Sequence, residues 1–189
     1  MAVVVVAVVL SLLALGGLLS QQRSVAKNPP VTGNNVVVFV GSQSGFAGET
    51  LAFLKSYFGG PTVEVTEIAN LSAAAARVDR ASLVVFNSDW LMGKVGAVAL
   101  TEFFKTILPS QVKIVALGGP TSLLFDALKQ ARDGIFTEGR NPAYNDPTLA
   151  GYMLKQGIGP DGTAHYGDSI LVGYPADAQS AADSISTWG

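Results

Sequence analysis

The chain has 189 residues, which include 12 lysines and arginines, 14 aspartates and glutamates and one histidine. Its net charge of −2 and the absence of a basic run argue against nucleic acid as a partner, because the phosphate backbone is bound through concentrated positive charge. With no cysteine, the chain can form no disulfide, thiolate nucleophile or cysteine-bound metal site, and one histidine cannot make a multi-histidine metal site.

The first segment is apolar. Residues 2–19 are interrupted only by one serine and two glycines, and the first charged side chain is Arg23. A helix of roughly 20 apolar residues spans the bilayer core, so we predict a transmembrane anchor over residues 1–22 that contacts the bilayer through residues 2–19. A cleaved signal peptide is the alternative, but it normally has a basic start, so an uncleaved signal-anchor is favoured. Arg23 and Lys27 favour a cytoplasmic location for the domain after the span.

A short linker separates this segment from a domain. Residues 23–35 are polar and contain Pro29, Pro30 and Gly33, which is typical of a semi-rigid connection. Residues 36–189 are numerous enough to form one domain with its own core.

Apolar runs and helical spacings alternate along this domain. Runs at 36–41, 62–68, 82–88, 112–119 and 169–175 predict five strands, and apolar spacings of three and four residues predict helices between them and at the C-terminus. The runs after positions 36, 82 and 112 are almost continuously apolar, as in strands buried on both faces of a parallel sheet. We therefore predict an α/β fold with a three-layer, doubly wound, five-stranded parallel sheet of order 2-1-3-4-5.

Ligands of such sheets lie at the carboxyl ends of the strands. The loop after the first predicted strand is rich in hydroxyls and glycines and leads into a helix, which suits a phosphate. The strand, loop and helix resemble the flavodoxin family, most of all the FMN domains of membrane-anchored diflavin reductases with their Gly-Ser-Gln-Thr-Gly-Thr-Ala loop. The resemblance implies that the FMN phosphate is surrounded by Ser42, Gln43, Ser44, Gly45 and Ala47.

Two further loops extend the resemblance. Trp90 follows the third predicted strand, where flavodoxins place an aromatic side chain against the isoalloxazine ring. The loop at 119–122 has no aromatic ring where the family usually has a tyrosine, and Phe46 replaces a small polar residue. Two other interpretations stay open: the serine-rich turn also suits an ordinary helix N-cap, and Trp90 and Phe46 also suit packing or a protein interface.

The long connection at 133–168 is predicted to be an insertion that contacts a protein partner. A turn at 159–162 predicts a small hairpin between 152–158 and 163–166. Tyrosine is frequent among the residues that dominate interfaces, so we assign the contact to Tyr144, Tyr152 and Tyr166, and we add Phe46 from the tip of the first loop as a further interface residue.

No catalytic set is expected. His165 has no nucleophile or second acid at a recognisable spacing and is interpreted as a hairpin residue. Asp89 suggests a receiver domain, but the acids expected after the first strand are absent. The sequence thus predicts a non-catalytic interaction or accessory subunit of a membrane or pilus-like assembly, whose partners are other proteins or further copies of the chain. The alternative is a membrane-tethered, FMN-binding electron-transfer protein.

Overall fold

The computed structural model of the chain describes residues 36–78, 82–92, 94–132 and 147–189. The predicted anchor, the linker at 23–35 and Tyr144 lie outside these residues. Within the described ranges, no helix combines the length and the apolar character that a bilayer crossing requires.

Strands and helices alternate through most of the domain. The strands are β1 (Val37–Val40), β2 (Thr62–Val65), β3 (Leu83–Asn87), β4 (Lys113–Leu117), β5 (Leu149–Ile158) and β6 (Ala164–Gly173). The α-helices are α1 (Gly45–Phe58), α2 (Leu71–Ala75), α3 (Ser88–Leu91), α4 (Ala97–Ile107), α5 (Ser122–Ala131) and α6 (Ala178–Thr187). Short 3-10 turns at Ile68–Asn70 and Leu108–Ser110 precede α2 and follow α4.

The strands form one six-stranded mixed sheet of order β2-β1-β3-β4-β5-β6. The first four strands in this order are parallel, whereas β5 is antiparallel to both β4 and β6. We call the side where β1–β4 begin the amino edge and the side where they end the carboxyl edge. The α/β class and the order of the first four strands are therefore as predicted.

Helices cover both faces of the sheet. Alternate residues of β1, β3 and β4 point to opposite faces, and both sets are buried, which explains their continuous apolar runs. On one face α1 and α6 pack over Phe39, Val85 and Leu117. On the other face α4 and α5 pack over Phe86 and Ile114, with Phe86 edge-on to the Phe104 ring at a centroid distance of 5.7 Å.

The predicted fifth parallel strand at 169–175 is corrected. This segment is the second half of β6, and β5 lies between it and β4. The predicted hairpin is present but longer, because β5 and β6 pair from Leu149↔Gly173 to Ile158↔Ala164. Much of the predicted insertion at 133–168 is thus part of the sheet, which is antiparallel here because β5 starts at the carboxyl edge, opposite Leu117.

One glycine on β5, Gly151, makes room for the side chain of Trp188, which follows α6. A Cβ added at Gly151 would lie 2.9 Å from the Trp188 ring and 3.2 Å from the Leu171 Cβ. The indole lies over β5, donates from Nε1 to Ser169 Oγ at 3.0 Å, and has the Lys113 ammonium 5.7 Å from its centroid. Only glycine leaves room for this contact.

We expect Gly151→Ala to lower the free energy of unfolding by about 1–3 kcal/mol, because the methyl group displaces the Trp188 ring from β5. Gly157→Ala is the matched control, since it lies on the same strand with no atom within 4 Å of the added Cβ. Urea unfolding followed by circular dichroism measures both. Equal stability of the two variants would contradict the proposed packing.

Candidate functional site

The carboxyl edge brings together the loops after β1, β3 and β4. Asn87, buried at the end of β3, connects two of them: its Nδ2 donates to the Ser42 carbonyl at 2.8 Å and the Ser44 carbonyl at 3.4 Å. Its Oδ1 accepts from the Trp90 backbone N–H at 3.2 Å and so caps α3. Asn87 therefore fixes the position of the serine loop relative to Trp90.

The serine loop leaves its hydroxyls at the surface. Ser42, Gln43, Ser44 and Gly45 are all exposed. Ser44 occupies the N-cap position of α1, but its side chain makes no capping bond and instead accepts from Ser42 Oγ at 3.1 Å. No acid lies in the first turn of α1. Donors and a helix N-terminus therefore face the same space, an arrangement that can hold an anion.

Three other predicted residues face inward. Ala47 is buried in the first turns of α1, so only its backbone could contact a ligand. Phe46 is partly buried against the α1–α6 side of the core. Trp90 is half-buried against the α4–α5 side, and the Lys94 ammonium lies over its ring, 5.6 Å from the centroid. These positions favour the packing interpretation of both aromatic side chains.

The space between the β3 and β4 loops is acidic. A Cβ added at Gly118 (φ +86°) would lie 2.7 Å from Asp89 Oδ2, so the carboxylate lies directly against the β4 loop. That loop, residues 118–121, contains no aromatic side chain. Around the Trp90 ring the structure thus shows the Lys94 ammonium, and the β4 loop beside Asp89 offers no aromatic side chain.

A second region lies at the opposite, amino edge. Residues 154–158 of β5 and their partners on β6 continue past the start of β4, and at about 3.4 Å per residue they project about 15 Å. We call this part of the hairpin the overhang. Between it and the ends of α4 and α5 lies a cleft of about 440 Å³. Its apolar lining comes from Leu108, Pro109, Ala131 and Leu154, with Tyr166 at its side.

Tyr152, predicted as an interface residue, is instead fully buried, because β5 places it opposite Ile114 in the middle of the sheet. Its hydroxyl donates to Asp168 Oδ1 at 2.7 Å and accepts from Arg132 Nη1 at 2.9 Å. Arg132 also pairs with Asp168 at 2.8 Å. Burial, followed by the hydrogen bond to Asp168, raises the pKa of Tyr152 well above its usual range. These side chains join the end of α5 to both hairpin strands.

The remaining predicted hairpin residues are at the surface. Tyr166 is 58% exposed. His165 Nε2 lies 2.9 Å from Thr163 Oγ1, which donates to Asp161 Oδ1 at 2.6 Å. The carboxylate and the imidazole are 3.9 Å apart and both are exposed. This cluster orders the turn, which agrees with the interpretation of His165 as a hairpin residue.

The sequence predicts no role for three residues that matter at these sites, Asn87, Arg132 and Asp168. Asn87 ends an apolar strand and precedes Ser-Asp, which is a recognisable helix-capping signal. Arg132 and Asp168 are far apart in sequence, and only the antiparallel strand between them brings them together. The sequence offers one signal for that pair: a basic residue stands just before the long predicted connection, and an acidic residue stands at its end.

Comparison with known proteins found no match: no family model, no curated protein and no solved structure is similar to this chain. Its function is therefore inferred from the geometry of its own side chains.

We expect Tyr152→Phe to change how stability depends on pH. In the unfolded chain the tyrosine loses its proton near pH 10, whereas the folded state keeps it. The folded state is therefore destabilised as pH rises above about 10, by up to about 1.4 kcal/mol per pH unit, and the phenylalanine variant lacks this contribution. Below pH 10 we expect only a loss of about 1 kcal/mol from the missing hydrogen bonds.

Unfolding in urea between pH 7 and pH 11 measures the effect. Tyr57, whose pKa is also raised through its hydrogen bond to Asp183, is present in both proteins, so the difference between their curves isolates Tyr152. Parallel curves above pH 10 would show that Tyr152 is not held in the protonated form.

Proposed function

We propose that this chain is a membrane-tethered, non-catalytic interaction module whose protein contact is the β5–β6 hairpin. The tether is the apolar segment at 2–19 together with the linker at 23–35. Its partner is either a second copy or another subunit of a membrane assembly, and the charge after the span favours the cytoplasmic side.

The main support for this proposal is the exposed outer strand of the β5–β6 hairpin. Within the described part of the chain, β6 pairs on one side only, and its ten residues are mostly exposed. A long edge strand offers backbone donors and acceptors to a further strand. It contains no proline and one acid, Asp168, which Arg132 pairs. Among the residues that the structure describes, β6 therefore carries neither a proline nor an unpaired acid against strand addition.

Side chains next to this edge complete a contact surface. Tyr166 lies beside the apolar cleft, and Ile158 at the end of β5 is 79% exposed. Apolar side chains exposed next to a concave apolar surface are typical of protein contacts, where one aromatic residue often contributes much of the binding energy. The Tyr152–Asp168–Arg132 group holds the surface rigidly on α5, which lowers the entropy that binding must overcome.

We expect Tyr166→Ala to weaken self-association of the full chain in detergent by about 30-fold, the equivalent of a contact worth about 2 kcal/mol. Tyr174→Ala is the matched control, because Tyr174 is 61% exposed just beyond the other end of the same strand. Native mass spectrometry and cross-linking over a concentration series measure the effect, beside a melting curve. Unchanged association with a lower melting temperature would place the role of Tyr166 within its own domain.

Binding of a phosphate-bearing ligand such as FMN at the serine loop is the second candidate function. It is favoured by the resemblance of this loop to flavodoxin phosphate loops and by the uncapped Ser44 hydroxyl. Two buried hydroxyls at the same edge, Ser88 Oγ and Thr121 Oγ1, have no hydrogen-bond partner among the described residues. The Lys94 ammonium over the Trp90 ring and the Asp89 carboxylate beside the β4 loop favour the interaction module over a flavin carrier.

For this second candidate, we expect Ser44→Asp to abolish FMN binding, because the carboxylate repels the phosphate. The fold should be retained, since aspartate is also a favourable N-cap residue. Ser72→Asp, at an exposed position on α2, adds the same charge elsewhere and serves as control. Quenching of FMN fluorescence by the protein gives the affinity. No binding by the parent chain would exclude the flavin candidate, and equal binding by both variants would exclude this loop as the phosphate site.

A further inference from the structure

The outer edge of β6 has a defined set of backbone groups that a further strand can bind. In an antiparallel pair, residues alternate between those that exchange hydrogen bonds with the opposite strand and those whose N–H and C=O point away from it. At the turn, the Gly159 N–H donates to the Thr163 C=O at 2.8 Å, so the odd-numbered residues of β6 are the ones that bond to β5. The even-numbered residues from 164 to 172 therefore direct their N–H and C=O groups outward.

The hydrogen bonds on the other side of β5 agree with this assignment. The Gly118 N–H donates to the Thr148 C=O at 2.9 Å, which makes the even-numbered residues of β5 the partners of β4. The odd-numbered residues of β5 are then left for β6, and each lies opposite an odd-numbered residue of that strand. The even-numbered side chains of β6 share a face with Ile170, which packs on the α4–α5 side of the core.

The most accessible part of this edge is the half of β6 that belongs to the overhang. The residues from Ala164 to Asp168 are all exposed, whereas those from Ser169 to Leu171 are partly buried. Asp168 is the one acid on β6, and Arg132 pairs with it. Like charges directly opposite each other destabilise a strand pair, so a strand that binds here must not place a second acid opposite Asp168.

A second copy of β6 meets this requirement. Resting on the proposed interaction module, we infer that two copies of the chain associate by antiparallel pairing of their β6 strands, related by a two-fold axis at Gly167. Residues 164–170 of the two copies then lie opposite each other, with Gly167 facing the partner's Gly167 and Tyr166 facing the partner's Asp168. The outward residues of this range form about eight backbone hydrogen bonds between the strands. Such a contact is complete with two copies.

The side chains favour this register over its neighbours. An axis at Asp168 places two carboxylates directly opposite each other. An axis at Tyr166 shortens the pairing to about five residues. An axis at Ser169 moves the centre to the partly buried half of the strand, where the Trp188 indole already binds the serine hydroxyl. With the axis at Gly167, Tyr174 lies beyond the paired residues.

Disulfide formation tests the position of the axis. The chain has no cysteine, so Gly167→Cys adds a single thiol, and the Cα distance of about 4.5 Å across the axis suits a disulfide. Gly157→Cys, on β5, is the matched control, because both glycines are exposed and an added Cβ at either has no atom within 4 Å. For the full chain in detergent with a mild oxidant, we expect Gly167→Cys to form the covalent dimer at least about tenfold faster. Equal rates would overturn the axis at Gly167.

Removal of an outward N–H tests the backbone pairing. Ala164→Pro removes such a group at the start of β6, where proline is tolerated because its missing N–H does not bond to β5. Val172→Pro removes an outward N–H beyond the paired residues and is the control. We expect Ala164→Pro to weaken self-association at least about tenfold, because the dimer loses one hydrogen bond from each copy, and Val172→Pro to change it less than about twofold.

Native mass spectrometry over a concentration series measures both proline variants, and melting curves verify their folds. Association of Ala164→Pro that equals that of Val172→Pro, with both folds retained, would show that β6 does not pair through its backbone.

The outcomes separate this inference from the proposed function. If Tyr166→Ala weakens association but neither the cysteine pair nor the proline pair differs, the hairpin is the protein contact and the strand pairing is wrong. If the parent chain remains monomeric over the whole concentration series, the partner is not a second copy and this inference is wrong, whereas contact with another subunit is unaffected. If alkaline carbonate extracts the chain from membranes but the Gly167→Cys dimer forms as expected, the tether is wrong and the pairing stands.

Discussion

The direction of β5 is the constraint on which the functional surfaces of this domain depend. The chain leaves α5 at the amino edge and starts β5 at the carboxyl edge, opposite Leu117, so β5 runs antiparallel to β4. Because β5 has ten residues and β4 only five, it continues past the amino edge. β6 then returns along it as an edge strand. The overhang, the cleft and the edge of β6 that no described strand pairs are all consequences of this one reversal.

A two-stranded ribbon that projects from a sheet is marginally stable by itself, so the overhang needs support. Arg132 supplies it from α5, through Asp168 on β6 and the Tyr152 hydroxyl on β5. Gln111 supports it from the end of α4, where it exchanges hydrogen bonds with the side chain and backbone of Gln156. The Arg132–Asp168 pair is partly exposed and adds little net stability by itself, but together with the buried Tyr152 hydroxyl it fixes the position of the hairpin on α5.

The sequence was sufficient for the parallel part of the fold and insufficient for the rest. Runs such as Leu83–Asn87 are apolar on both faces, so local pattern alone predicted them. β5 lacks such a pattern. Its Gly151 leaves room for the Trp188 ring, and its Tyr152 is hydrogen-bonded to Arg132 and Asp168. These partners are distant in sequence, so the local pattern of β5 does not show why its residues are suited to a strand. The serine loop was found because its ligand-type residues are consecutive. The cleft was missed because it joins residues from three distant segments.

Charge shows the same dependence on tertiary structure. No basic run is present in the sequence, yet the helices place scattered lysines at one edge because cations stabilise helix carboxyl ends. Lys105, in the last turn of α4, pairs with Glu102 one turn earlier, and Arg132 after α5 pairs with Asp168, so these cations make their contacts within the domain.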